Sequence, residues 1–296
     1  MPIFYIIPPS FENLTWPFES DPNNPDNYNK FLFNENGIIK WSIVSSFSFS
    51  SILDVLTFWY DFTDAAYSTS SINDKSGKGK NAIANTGLSY ATNANTQNIR
   101  AVTFNNAAGI NFPLNTILHS GNKFMYVVCG YYSYSTPTNR VSTNPSPMVF
   151  SIDASVATLT MQTYNSTNPA WLNLNGGVTY APNNGIENYF NDKFFVLIIQ
   201  NNQTNHKVYV NGREMVSVGT NCTFGVGSNI CLFNNSYADV GGWNGQYGWN
   251  GSFIYETFCT NTADDNVRQQ LEGHLAHKYT FNNNLPTGHP YKDTSP

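Results

Sequence analysis

A chain of 296 residues is long enough for one large all-β domain or two smaller ones, and at a net charge of −5 its scattered Lys and Arg form no basic stripe, which argues against nucleic acid as a partner. Charged residues are 11% of the chain against a usual share of about 25%, while aromatics reach 15%, so Asn, Ser, Thr and Gly must wet the surface. That balance suits an extracellular or particle-borne protein better than a cytosolic enzyme, although an AT-rich genome would also enrich Asn, Tyr, Phe and Ile without functional cause.

Met1 to Phe11 is apolar but too short to cross a bilayer, and it has neither a basic flank nor a small-residue cleavage site, so no membrane span and no secretion signal are expected. Pro8, Pro9, Pro17, Pro22 and Pro25 then break up the chain as far as Asn29, and only Phe31 to Val44, turning at Asn36-Gly37, reads as a hairpin. Residues 1–51 are therefore expected to form an N-terminal arm. Its apolar Phe4, Tyr5, Ile6, Ile7, Phe11 and Trp16 would be costly in water, so the arm should lie on its own body, the simpler case, or on a neighbouring subunit.

From Ile52 the pattern becomes short β segments with polar turns, at 53–61, 99–104, 123–131, 147–152, 157–163, 193–200, 206–211, 229–233 and 252–259, a spacing that suggests a sandwich. The run from Phe194 to Gln200 is nearly continuous in apolar residues, as a central strand buried on both faces would be. Lys207 to Val216 places two runs across Asn211-Gly212 and predicts a two-residue hairpin. The Asn/Ser/Thr/Pro stretches at 132–147 and 164–192 exceed ordinary loop lengths and read as surface excursions or contact elements. Ser252 to Cys259 alternates, with Phe253, Tyr255, Thr257 and Cys259 on one face and Ile254, Glu256 and Phe258 on the other.

Thr262 to Asp265 has the spacing of a capping box, so a helix is expected over about 262–280 with Thr262 as its cap. Val267, Leu271, Leu275 and Tyr279 form its apolar stripe, and His277 and Lys278 suit its C-terminal dipole. Gly273 inside the stripe costs roughly 1 kcal/mol against alanine, which points to a close approach of the helix to the sheet. Pro286 and Pro290 prevent any continuation.

These residues resemble the concanavalin A-like, laminin-G-like jelly rolls, especially the versions found in virion proteins of phages and large DNA viruses. The likeness lies in Gly251-Ser252-Phe253-Ile254-Tyr255-Glu256, in Leu271 to Tyr279, and in Leu285-Pro286 with His289-Pro290-Tyr291. Phe58-Trp59-Tyr60-Asp61 leading to Asn73 through Ala82, and Val208 through Glu214, match as well, so the resemblance covers about residues 52–291. It implies a jelly roll with a helix packed on its edge, and a non-enzymatic structural or surface component of a large DNA virus particle, such as a minor capsid or decoration protein. The partners so implied are other virion or capsid subunits, and the location is the virion, assembled in the host cytoplasm. The alternative is a glycan-binding lectin module for attachment, extracellular and directed at host glycans; a glycoside hydrolase ranks behind both.

Gly242-Trp243-Asn244-Gly245-Gln246-Tyr247-Gly248-Trp249-Asn250-Gly251 is the best ligand-site candidate. Trp243, Tyr247 and Trp249 offer flat faces for sugar C–H groups, and the amides of Asn244 and Asn250 can serve hydroxyls. Such loops also fold inward as lids, and packing outweighs binding as the simpler reading. Asp74 through Lys80 carries glycines but lacks the Gly-Lys-Ser/Thr ending of a phosphate-binding loop and reads as a capped turn. A calcium site from Asp61, Asp64 and Asp74 is disfavoured by three nearby lysines.

Jelly-roll glucanases place two carboxylates about 5–9 Å apart, usually on one strand. Here Glu256 is alone on its strand and Glu187, Glu214 and Glu272 have no alternating acidic partner, so no catalytic residues are assigned. His274 and His277 have no carboxylate set to complete a metal site, and Cys129, Cys222, Cys231 and Cys259 lack zinc spacing. Buried free thiols are the simpler reading, a Cys222–Cys231 bridge the other. No metal and no cofactor are expected. The fold class is thus all-β, a concanavalin A-like jelly-roll sandwich over residues 52–296 with an N-terminal arm over 1–51 and a C-terminal helix.

Overall fold

The computed structural model describes residues 30–35, 38–43, 50–68, 71–84, 88–93, 96–104, 110–113, 121–132, 148–152, 157–162, 171–174, 178–180, 193–219, 229–232 and 252–296. The chain divides into two compact units, Met1–Ser46 and Phe47–Pro296. In the first, β1 (Lys30–Glu35) and β2 (Ile38–Ile43) pair antiparallel with Glu35 opposite Ile38, the hairpin register expected of an Asn-Gly connection.

The second unit is an antiparallel β-sandwich of the jelly-roll class with a C-terminal helix, as the sequence predicts. Its chain enters through a one-turn helix, Ser50–Leu53, and continues through β3 (Leu56–Asp61), β4 (Ile83–Ala84), β5 (Leu88–Thr92), β6 (Arg100–Phe104) and β7 (Ile110–Pro113). β8 (Phe124–Tyr132), β9 (Met148–Ile152), β10 (Ala157–Gln162), β11 (Trp171–Leu174) and β12 (Val178–Tyr180) follow. Next come β13 (Lys193–Asn201), β14 (Asn205–Val210), β15 (Arg213–Gly219), β16 (Asn229–Leu232) and β17 (Ser252–Thr260). One sheet runs β12-β11-β10-β9-β16-β7-β4, the other β15-β14-β13-β8-β17-β6-β5, with β3 also paired to β17. Every strand segment expected from the sequence contains an observed strand. Leu53 differs in closing the short helix, and β11 and β12 lie inside the 164–192 stretch expected as loop.

β13 sits between β14 and β8, and its residues from Phe195 to Asn201 are buried, so the apolar run is the central strand it promised to be. The next hairpin turns at Asn211 (φ 49°) and Gly212 (φ 76°), both in the left-handed region that a two-residue turn requires. Asn211 also extends the ladder: its N–H donates to the Val196 carbonyl at 2.9 Å, and its Oδ1 accepts from the Val196 N–H at 2.8 Å.

β17 departs from simple alternation. A register shift between Ile254 and Glu256 leaves Tyr255 as a bulge, and the edge partner of β17 changes there from β6 to β3. The bulge turns Tyr255 and Glu256 to the same side: the Tyr255 ring stands 5.0 Å from the ring of Tyr279, while the Glu256 carboxylate accepts from the Tyr279 hydroxyl at 2.6 Å. The expected opposition of Tyr255 and Glu256 is therefore corrected by the extra residue. The Tyr255 carbonyl accepts from the Phe62 N–H at 2.8 Å, so the bulge is hydrogen-bonded.

The C-terminal helix spans Asp265–Lys278. Its cap is Asp264, not Thr262: the Asp264 carboxylate accepts from the N–H groups of Asn266 and Val267, while the Thr262 hydroxyl accepts from the Asp264 N–H. A carboxylate at this position answers the helix dipole as well as the free amides, which favours it over a hydroxyl. Leu271, Leu275 and Tyr279 are buried in one cluster with Met125, Val127 and Cys129 of β8 and Val196 and Ile198 of β13. Gly273 is explained by a different neighbour from the one expected. A Cβ there would lie 2.4 Å from Cβ of Tyr291, so it is the C-terminal tail, not the sheet, that passes against the helix.

Candidate functional site

Trp243, Asn244, Tyr247, Trp249 and Asn250 lie outside the described residues, as do Glu187 and Cys222. The chemistry that can be described gathers around two buried carboxylates and one open cleft.

The first carboxylate is Glu256, fully buried on β17 with Asp61 of β3 directly opposite. Its Oε1 accepts from Lys278 Nζ and from the Tyr279 hydroxyl, each at 2.6 Å, and its Oε2 accepts from the Trp59 indole N–H at 2.9 Å. Lys278 Nζ also stands 3.7 Å from Asp61, and Lys75 bridges Asp61 at 3.8 Å and Asp64 at 2.7 Å. Burial raises the Glu256 pKa, against the pull of Lys278; burial works against the Lys278 ammonium too, yet Glu256 and Asp61 hold its pKa above the ordinary lysine value. The Lys278 ammonium and the Trp59 indole N–H can only donate and meet the carboxyl on separate oxygens, so both favour the ionised form of Glu256. Sequence reading left Glu256 without a carboxylate partner. The fold supplies one from β3, but an ammonium stands between the two acids and both Glu256 oxygens accept internal hydrogen bonds, unlike the acid–base pair that hydrolysis uses.

The second is Glu272 on the helix. Arg268 donates to both of its oxygens at 2.9 and 2.8 Å, and His289 from the tail meets Oε2 at 3.0 Å. Because Nδ1 of His289 accepts the Tyr291 N–H at 3.2 Å, Nε2 carries the proton and donates to Glu272. The Arg268 guanidinium lies 4.0 Å over the ring of Tyr209, so the group ties helix, tail and β14 together. Of the remaining acids singled out, Glu214 holds Lys207 at 2.8 Å. His277 meets the Tyr291 carbonyl at 2.9 Å, and among the described residues there is no group of three or more His, Cys, Asp and Glu that could hold a metal. Cys129 and Cys259 are buried free thiols.

The glycine-lysine stretch is a capped turn built on Asp74. That carboxylate accepts from the N–H groups of Trp59, Ser76 and Lys80, each at 2.9 Å, and from the Ser76 hydroxyl at 2.8 Å. With Asp74 so engaged and Asp61 and Asp64 sharing Lys75, the three acids do not converge on a cation. Beside this turn a cleft of about 470 Å³ opens between the short helix, the starts of β3 and β8 and the end of β17. Lys78, Lys80, Lys123, Asn122, Asn261 and Asp54 line it together with Leu56, Thr57 and Thr260. Sequence reading missed it because its walls come from four separate segments; the one local signal was Gly-Lys-Gly-Lys in a lysine-poor chain.

No protein-family model matches the sequence, and no curated protein matches it. Solved structures do match. The binding domain of Paraclostridial Mosquitocidal Protein 1 is 13% identical with a TM-score of 0.52, over 78% of this chain and 53% of that one. The botulinum neurotoxin serotype D binding domain is 12% identical with a TM-score of 0.50, over 74% of this chain and 52% of that one. Domain 4 of AbnA, a GH43 extracellular arabinanase from Geobacillus stearothermophilus, in complex with arabinotriose, is 18% identical with a TM-score of 0.46, over 71% of this chain and 93% of that one. The chain spans about half the length of the first two. At such identities the likeness is one of fold, a β-sandwich.

Proposed function

We propose that the chain is a non-enzymatic recognition module that binds a carbohydrate or a glycosylated receptor. The observation that carries this reading is the state of two acids among the described residues: Glu256 and Glu272 are fully buried and bound by internal cations, which supports a structural and not a hydrolytic role for them. Two structures matched at a TM-score of 0.50 or above, from a mosquitocidal protein and a botulinum neurotoxin, are themselves described as binding domains, which supports the same reading. Within it the 243–250 loop is a proposed stacking element, with Trp243, Tyr247 and Trp249 as platforms and Asn244 and Asn250 as hydroxyl partners. In the same proposal, the resemblance to virion proteins supports a particle surface as the setting of such a module, where many copies would multiply a weak contact.

Glycan-array screening of the protein in multivalent form is the test, beside a folded Trp243→Ala, Trp249→Ala double variant. An aromatic stacking contact is worth roughly 0.5–1.5 kcal/mol beyond burial, so the double variant should lose about tenfold or more in apparent affinity. Binding kept in full by that variant moves the site away from the loop. Release of reducing ends from a polysaccharide, abolished by Glu256→Gln in a variant shown to be folded, would overturn the non-enzymatic reading.

A further inference from the structure

The chain is poor in cations, holding 14 Lys and Arg in 296 residues, and most of those described are consumed internally. Lys75, Lys207, Lys278 and Arg268 face carboxylates. Lys292 donates to the carbonyls of Asn283 and Leu285, and Arg100 to those of Phe62, Asp64 and Tyr67. Lys193 and Arg213 have partners of their own. Lys78, Lys80 and Lys123 stand apart: among the described residues none of their ammonium groups meets a carboxylate, and all three line the same cleft.

Two of these lysines are presented by a turn that is fixed from within. Gly77 (φ 78°) and Gly79 (φ 71°) take the left-handed backbone on either side of Lys78, with open space where a Cβ would stand, so the bends are conformational and not packing requirements. Asp74 holds the Lys80 N–H, and the Ser76 hydroxyl accepts the Lys78 N–H at 3.2 Å. The Tyr60 hydroxyl donates to the Lys80 carbonyl at 2.6 Å, anchoring the turn to β3. The lysine side chains thus project from a preorganised backbone, which lowers the ordering cost of binding.

We propose that this cleft binds an acidic saccharide, one carrying a carboxylate or a sulfate on its sugar ring. Among the described residues, three ammonium groups against the single carboxylate of Asp54 make the lining net positive within a chain of net charge −5. Asn122, Asn261 and Thr57 add neutral groups of the kind that hydrogen-bond sugar hydroxyls. A volume of about 470 Å³ exceeds the need of a bare ion and falls within the ~300–1,000 Å³ of small-ligand sites. Among the described residues the lining holds no aromatic ring on which a base could stack, which favours a saccharide over single-stranded nucleic acid. The proposal rests on the recognition-module reading and names the ligand class.

Titration calorimetry on the full chain tests it with four probes: sialyllactose, a sulfated heparin disaccharide, neutral lactose and inorganic sulfate. At low salt at least one acidic saccharide should bind about tenfold or more tightly than lactose, and weaken at physiological salt. Lys78→Ala, Lys80→Ala and Lys123→Ala together should cost about tenfold, with thermal stability unchanged because none of these ammonium groups meets a carboxylate among the described residues. Asp54→Asn should act in the opposite sense, tightening the acidic saccharide by about two- to threefold through loss of a like charge. Equal affinity for lactose, or unchanged binding by the triple variant, overturns the proposal. Inorganic sulfate that binds as tightly as the sulfated disaccharide reduces the cleft to a free-anion site and overturns the saccharide assignment. Neutral-glycan binding on an array without any acidic-saccharide binding refutes this cleft and leaves the recognition module standing; no glycan binding at all refutes both.

Discussion

At Glu256 a fully buried charge survives because Lys278, Tyr279 and Trp59 all donate to it, and the balance is sensitive to either partner. Removing one member of a buried pair costs about 3–5 kcal/mol, and the low end applies here because the Lys278 side chain is 34% exposed and can turn to water. Glu256→Gln should therefore lower unfolding stability by about 3 kcal/mol in urea titration, since the new amide N–H₂ must face donors. Lys278→Met in the same background should cost much less than in the wild type, and additive losses would mean that the two side chains do not act as a pair. None of this could be read from the sequence. Trp59 is 197 residues from Glu256 in the chain, so the acid looked solitary, and its role follows only from the pairing of β3 with β17. The Asp74 turn was legible, by contrast, because the Ser76 and Lys80 amides that close it are local, and only its Trp59 contact reaches outside.

Element by element, legibility tracked locality in the same way. β13 and the Asn211-Gly212 hairpin declare themselves through an unbroken apolar run and a turn dipeptide. β11 and β12 did not, being short segments within an Asn- and Pro-rich stretch. The face of Tyr255 could not be foreseen either, because its bulge marks an exchange of edge partners between strands far apart in sequence. Gly273 gives the sharpest test at this scale. Alanine at an ordinary helix position gains about 1 kcal/mol over glycine, but here its Cβ would stand 2.4 Å from Cβ of Tyr291. Gly273→Ala should thus destabilise the fold, by about 1–3 kcal/mol for an overpacked site, and expose residues beyond Lys278 to limited proteolysis. Adding Tyr291→Gly removes the clashing carbon and should restore much of the loss. If the single variant is as stable as the wild type, the tail does not lie where it is described.

For the whole molecule one histidine contributes to the acid side of the stability curve. Burial, with Lys278 adding to it, lowers the His274 pKa to about 4. Between pH 6.5 and about 4 the unfolded chain therefore holds a proton there that the folded chain does not, so stability falls as pH drops through that window. The full shift corresponds to roughly 3–4 kcal/mol. Asp64, lowered chiefly by its hydrogen bond from Lys75, contributes only further down: its stabilisation is present above the ordinary aspartate value and is lost below it. His274→Gln should flatten the melting temperature between pH 6.5 and 4 relative to wild type, and an unaltered slope would assign the effect to another group.

The place of β17 also sets a timetable. It is the strand that joins β8, β6 and β3 into one sheet, yet Glu256 is made 197 residues after Trp59, and Thr257 130 residues after Val127. At about 5–20 residues per second a ribosome needs on the order of 10–40 s to close the first gap. For the second gap, on the order of 7–26 s at the same rate, the β17-facing edge of β8, a strand of buried Val, Tyr and Met, is made but lacks its partner. The eight-stranded sheet can complete itself only after synthesis has reached Thr260, so the nascent chain depends on chaperones or on dilution to keep an open apolar edge from meeting its own kind.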